Sequence, residues 1–212
     1  MIVKDGIYYG IALTATGFVV SRLASPWFAV PLWILAAFCL YFFRDPDRST
    51  PPGAVAVSPA DGKVLVVKPE SPSLNRITIF LNVFDVHVNR SPIAGTITDV
   101  NYQVGKFLVA SKEACSAANE QNIVTVRSPD GVSVVFKQIA GLIARRIVFT
   151  KQTGDKVQAG ERIGLIKFGS RMDVLLGPEW EIVARPGMRV AAGETVIARR
   201  IDRGSGGVPS GA

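Results

Sequence analysis

The sequence predicts a mainly β fold, a sandwich or barrel-sandwich-like domain preceded by an apolar helical hairpin. Three observations lead there. From Pro51 onward, short β-branched runs such as Val55-Ala56-Val57, 63–67 and 76–81 are punctuated by Gly, Pro, Asp and Asn, the pattern of short strands and tight turns. Before that point lie two apolar runs, 7–20 and 27–43. Late in the chain, segments 153–161 and 185–194 repeat one pattern of turn, inward apolar residue and second turn.

The two N-terminal runs are broken by Ser21, Arg22 and Ser25-Pro26, and end at Arg44-Asp45-Pro46-Asp47-Arg48. This reads as a helical hairpin in lipid. The second run is near the lower length limit for a spanning helix, and the first is shorter and carries Gly and Thr. Full crossing and shallow re-entry therefore both stay open. The first run lacks the basic start and small-residue cleavage site of a signal peptide. Lys4 on one flank and Arg44 and Arg48 on the other place the large domain on the cytoplasmic side by the positive-inside bias. The expected division is a membrane-associated hairpin and linker over 1–50 and a β-rich catalytic domain over 51–212. The hairpin is expected to act as an anchor, with little part in bond making. Further strands are expected at 96–102, 123–127, 133–139 and 146–150, with a short helix inside 110–119.

The chain has 212 residues, a net charge of +7 and a pI near 9.7, which favours anionic partners. Its bases are scattered, and no nucleic-acid signature is present, so lipid is favoured over nucleic acid. Cys39 and Cys115 have no pairing motif or metal spacing around them, so neither a disulfide framework nor a metal site is expected.

Three short motifs carry polar chemistry. The sole histidine, His87, lies in Leu81-Asn82-Val83-Phe84-Asp85-Val86-His87-Val88-Asn89-Arg90. Period-two alternation would put Asp85, His87 and Asn89 on one strand face, a proton-transfer face or a solvated edge. Ser58-Pro59-Ala60-Asp61-Gly62 and Lys167-Phe168-Gly169-Ser170-Arg171 each read as a turn. In a Gly-Ser turn, however, the hydroxyl can approach the preceding carbonyl, and strain there favours an N-to-O acyl shift.

Taken together, five motifs in order carry a resemblance: 58–62, 84–92, Gly105-Lys106-Phe107, Asn119-Glu120-Gln121-Asn122 and Phe168-Gly169-Ser170-Arg171. From about Pro51 to Leu176 the chain resembles phosphatidylserine decarboxylase proenzymes, specifically their short, archaeal-type branch. The resemblance implies that Ser170 attacks the Gly169 carbonyl, and that β-elimination and loss of ammonia leave a pyruvoyl group at position 170. Two associated chains would result, cut between 169 and 170. The pyruvoyl cofactor would form a Schiff base with phosphatidylserine and release carbon dioxide, giving phosphatidylethanolamine at the cell membrane. Asp61 matches the aspartate associated with self-cleavage, and His87 the histidine that assists decarboxylation. The second histidine of longer members is replaced by Arg90, which cannot act as a base at neutral pH. Two assignments stay open: Asp61 acts on Ser170 directly, or His87 serves both steps.

A bidentate arginine on the reacting carboxylate would hold it against loss of carbon dioxide, so that carboxylate is expected in apolar surroundings and the phosphodiester on cations. Arg90, Lys106 and Arg171 are the candidate phosphate partners, and Phe84 and Phe107 the candidate apolar walls. The repeated segments are similar to the hammerhead turns of lipoyl and biotinyl carriers, but neither leads to a lysine-bearing tip, which weakens a reading as a tethered adaptor. Ser170 lacks a nucleophile elbow, which weakens a serine hydrolase. The sequence leaves monomer and homo-oligomer undecided.

Overall fold

A computed structural model describes residues 3–110, 113, 115–142, 146–167 and 170–201. Two helices open the chain, α1 (Lys4–Leu23) and α2 (Pro26–Phe42). Pro26 occupies the first turn of α2, where its missing N–H leaves no bond unmade. Gly6, Gly10 and Gly17 form the buried stripe of α1. A Cβ at Gly10 would lie 2.9 Å from Leu40, and one at Gly17 would lie 2.4 Å from the Trp33 indole nitrogen, so these glycines let the helices close. At about 1.5 Å per residue, the 17 residues of α2 span about 26 Å, short of the ~30 Å hydrocarbon core. No helix among the described residues is long and apolar enough to cross a membrane.

The β domain follows in order: β1 (Val55–Val57), β2 (Gly62–Ser71), β3 (Leu74–Leu81), β4 (Val88–Arg90), β5 (Gly95–Gln103), the one-turn α3 (Cys115–Ala118), β6 (Gln121–Arg127) and β7 (Ser133–Ile139). Then come β8 (Arg146–Phe149), β9 (Lys156–Val157), β10 (Arg162–Lys167), β11 (Ser170–Leu176), β12 (Trp180–Ile182), β13 (Arg189–Val190) and β14 (Val196–Arg200). The expected strands are all present, and the short helix expected inside 110–119 is α3. An eight-stranded antiparallel sheet runs β13-β2-β3-β11-β7-β6-β5-β9, with the small sheets β4-β10-β8 and β1-β14-β12 beside it. Ile77, Ile79, Val124, Phe136, Met172 and Val174 are fully buried in its core.

That strand order reads the same from both ends once β2 is matched with β5, β3 with β6 and β11 with β7. The two repeated segments are the matched ends: Val157 pairs Gly95, and Val190 pairs Gly62. Ser58-Pro59 and Ser91-Pro92 also correspond. Each serine hydroxyl donates to the carbonyl two residues on, at 2.6 and 2.7 Å. Each serine carbonyl accepts from a hammerhead glycine, Gly193 and Gly160 respectively, at 2.8 Å. Both glycines have φ of 76°, a conformation open to glycine at little cost. Asp61 occupies the position that Ala94 fills in the other half, so the polar chemistry sits in one half of a near-duplicate.

One expectation fails locally. Residues 82–87 form a turn, and the strand β4 begins only at Val88. The Asn82 side chain accepts from Phe84 N–H at 2.7 Å and the Asp85 side chain from Asn82 N–H at 2.9 Å, local bonds that compete with a strand ladder. Strict face alternation is lost: Asp85, Val86, His87, Val88 and Asn89 are all buried, and Phe84 is 62 % exposed.

Candidate active site

Ser170 opens β11, which is hydrogen-bonded to β3 on one side and β7 on the other. Its side chain is fully buried, and Oγ has no hydrogen-bond partner among the described residues. A buried hydroxyl left unpaired is costly. A pyruvoyl group at this position fits that environment, because forming it consumes the hydroxyl. Gly169 and Phe168 lie outside the described residues.

Asp61 reaches the same end of the sheet. Lys63 pairs Phe80 and Ser170 pairs Leu81, so Asp61-Gly62 and Ser170 flank the end of β3, separated by two inter-strand spacings, roughly 10 Å. Gly62 has φ of 152°, and a Cβ there would lie 2.2 Å from the Phe80 carbonyl, which fixes glycine after Asp61. Asp61 accepts from Arg48 at 2.8 Å and from Ala192 N–H at 2.7 Å. Burial nevertheless raises its carboxyl above the ordinary range, against the pull of these donors, and Asp85 pushes the same way.

His87 is 2 % exposed. Its Nδ1 lies 2.8 Å from the Asp85 carbonyl, and since a carbonyl only accepts, Nδ1 carries the proton and Nε2 the lone pair. Burial lowers its pKa from 6.5 to about 4, outweighing the hydrogen bond and charge of Asp85, with Arg44 adding to the fall. The imidazole is therefore neutral at pH 7. Its own carbonyl accepts from Ile166 N–H at 3.3 Å, four residues before Ser170.

The remaining motifs frame the same corner. A Cβ at Gly105 would lie 2.5 Å from the Asn119 carbonyl carbon. Asn119 in turn donates to the Leu108 and Ala140 carbonyls at 2.9 and 2.7 Å. Ala140 follows Ile139, the partner of Arg171, so the loop at 105–108 is tied beside the start of β11.

The candidate substrate contacts separate. Arg171 is 1 % exposed and bonds Asp173 at 2.7 Å and Thr78 at 3.1 Å. Arg90 is 6 % exposed and bonds Asp45 at 2.8 Å and the Gly160 carbonyl at 3.0 Å. Both guanidiniums hold internal partners. Phe84 stands at an exposed tip, its carbonyl held by Arg44 at 2.8 Å. Lys106 is exposed and Phe107 half-buried.

Several neighbours escaped the sequence reading. Phe42, the last residue of α2, packs on His87 with ring centroids 4.2 Å apart. Lys167 bonds Asp5 at 3.0 Å. Arg48 and Asp45, from the linker, hold Asp61 and Arg90. The hairpin root and linker thus pack against His87, Asp61 and Arg90. The tetrad of charge at Asp61, Arg48, Asp85 and Arg189 had no local signal, because its partners are up to 104 residues apart.

Comparison with known proteins bears on this site. The family model for phosphatidylserine decarboxylase matches residues 35–198, from the second half of α2 to the last strand. A phosphatidylserine decarboxylase proenzyme of Solibacter usitatus (strain Ellin6076) is 70 % identical over 204 residues, covering 96 % of this chain and 99 % of that one. Another from Magnetococcus marinus (strain ATCC BAA-1437 / JCM 17883 / MC-1) is 39 % identical, covering 94 % and 95 %. A third, from Erythrobacter litoralis (strain HTCC2594), is 45 % identical, covering 92 % and 86 %. The chain is accordingly a carboxy-lyase of the kind made as a proenzyme. It belongs to the phosphatidylserine decarboxylase family.

Proposed function

We propose that the chain matures by cutting itself before Ser170, and that the resulting pyruvoyl enzyme converts phosphatidylserine into phosphatidylethanolamine. The observation that carries this is the buried hydroxyl of Ser170 at the head of a central strand, without a hydrogen-bond partner among the described residues, with Asp61 just before β2, across β3, and His87 tied by its carbonyl to Ile166 of β10. In maturation, Ser170 Oγ adds to the preceding carbonyl as its proton leaves, and the peptide C–N bond breaks to give an ester. Loss of the Ser170 α-proton expels the carboxylate of the longer chain, and water then releases ammonia from position 170. Asp61, with its raised pKa, accepts the first proton.

When formed, the pyruvoyl group supplies a ketone for the substrate amine and a sink for the electron pair left by carbon dioxide. Neutral His87 takes a proton from the incoming ammonium and returns one to the carbon that lost carbon dioxide. Phe42 supplies the apolar wall expected for the reacting carboxylate. Lys106, and Arg44 beside His87, are the cations placed toward the phosphodiester; Arg90 and Arg171 hold the scaffold.

The hairpin dips into the bilayer. Leu23 and Trp27 at its tip are each 83 % exposed, and Tyr8, Ile11, Phe28 and Ile34 are also well exposed, a large apolar patch that calls for a partner. The catalytic domain lies on the cytoplasmic side.

Intact mass and turnover test the reading together. Wild type should give two chains, the shorter covering 170–212 with a ketone end, and Ser170→Ala one inactive chain. A wild-type protein that stays whole and still decarboxylates would refute it.

A further inference from the structure

The hairpin does more than hold the domain near lipid. Its exposure is graded: the tip is open, whereas Phe42 and Phe43 at the root are 1 % and 2 % exposed. Phe43 meets Phe42 edge-on at 5.0 Å and joins Leu165 of β10 in a small apolar core. Phe42 then lies over the imidazole of His87 with ring planes 34° apart.

We infer that Phe42 is a positioning residue for the reaction: the root of the hairpin fixes the plane of the catalytic imidazole and keeps water from it. The inference rests on the proposed role of His87. The bond from Nδ1 to the Asp85 carbonyl holds one edge of the ring. A flat neighbour 4.2 Å away packs against its face and fixes the plane. A second tie supports the first. Lys167, the last residue of β10, bonds Asp5 of α1 at 3.0 Å and sits 5.7 Å over both the Tyr9 and Phe43 rings. Its neighbour Ile166 holds the His87 carbonyl, so α1, α2, β10 and the histidine are linked by direct contacts.

Among the described residues, Asp85 and Arg44 act on the imidazole directly. Lys167 and Asp5 lie beyond Phe43, and Asp61 and Arg189 act through Asp85. None of these is altered by a change at Phe42, so the effect of that change reports cover and orientation.

The test uses full-length Phe42→Ala, Phe42→Leu and Phe42→Tyr proteins in detergent, with two-chain processing as the sign that each has folded. Because the chain has one histidine, its ring resonances can be titrated by NMR without assignment, beside kcat and KM on dispersed phosphatidylserine across pH. In Phe42→Ala, kcat should fall roughly 10- to 100-fold, as expected for a misplaced catalytic group, with KM nearly unchanged. The His87 midpoint and the acid limb of kcat should both climb from about 4 toward 6.5. Phe42→Leu should fall between, and Phe42→Tyr should restore both values. If Phe42→Ala fails to process, Phe42→Leu carries the same comparison. A processed Phe42→Ala or Phe42→Leu protein with wild-type kcat and midpoint overturns the inference, as does a change confined to KM. Full turnover by His87→Ala would instead defeat the proposed mechanism.

Discussion

Replacing Asp173 by alanine should damage the fold more than any other single change on β11. Asp173 is fully buried and accepts from Arg171 at 2.7 and 3.1 Å and from Ser116 at 2.6 Å, with Arg76 at 3.7 Å. Arg171 and Arg76 are 1 % and 2 % exposed, so losing the carboxylate leaves two buried cations facing each other. Glu113 also touches both, but its side chain is 53 % exposed and offsets little. Breaking a buried pair in this way costs about 3–5 kcal/mol, against a total of roughly 5–15 kcal/mol for a domain. In urea, with a slope of about 1–3 kcal/mol per molar, the midpoint should fall by about 1.5 M. The measurement is best made in a Ser170→Ala background, where the chain stays whole and the transition can be read as one equilibrium. Asp173→Asn, which keeps an acceptor for one arginine, should lose about half as much. A loss below about 1 kcal/mol for Asp173→Ala would show that the network is open to water and that the reasoning is wrong.

Other outcomes follow from the same geometry. His87 is lowered to about 4 in the folded protein and returns to 6.5 when unfolded. Its contribution is therefore full above pH 6.5 and is lost as pH falls toward 4, by at most about 3 kcal/mol; His87→Gln should flatten that part of the stability profile, and an unchanged slope would count against the burial argument. Gly62→Ala forces a Cβ to within 2.2 Å of the Phe80 carbonyl; a melt should show a loss of at least about 1–3 kcal/mol, with slowed chain cleavage on a denaturing gel. Asp61→Ala should block cleavage while leaving the fold, since Arg48 keeps Glu194 at 2.9 Å; normal cleavage in this variant would move the role to another group.

The strands were legible because β-branched runs between turn residues have few other uses, and the repeated segments foreshadowed the symmetry of the large sheet. The stretch 82–87 was not, because its alternation is outweighed by two side-chain bonds within the turn. Ser170, His87 and Asp61 were candidates from their motifs, yet that Asp61 and Ser170 flank the end of β3 needed the pairing of β2, β3 and β11. The packing of Phe42 on His87 had no signal in the sequence, because an apolar helix end looks the same whether it meets lipid or protein. The burial of Arg90 and Arg171 was hidden because a cation is ordinarily solvated. The Asp173 partner of Arg171 is two residues away on the same strand face and was a usable clue, whereas Asp45 is 45 residues from Arg90 and no local pattern links them.

The place of β11 has a consequence for the lifetime of the enzyme. This strand lies between β3 and β7 with ladders on both sides, so a cut ahead of Ser170 leaves the shorter chain threaded through the middle of the longer one. The proenzyme reaches that arrangement as one connected chain. Once cut and unfolded, the two pieces would have to find each other in solution, and the shorter would have to insert between strands free to close without it. Refolding then becomes a second-order process that slows with dilution and competes with aggregation. If maturation cuts before Ser170 as proposed, the connectivity of the precursor acts as a template that is used once and destroyed, and the persistence of the mature enzyme is set by how slowly it comes apart.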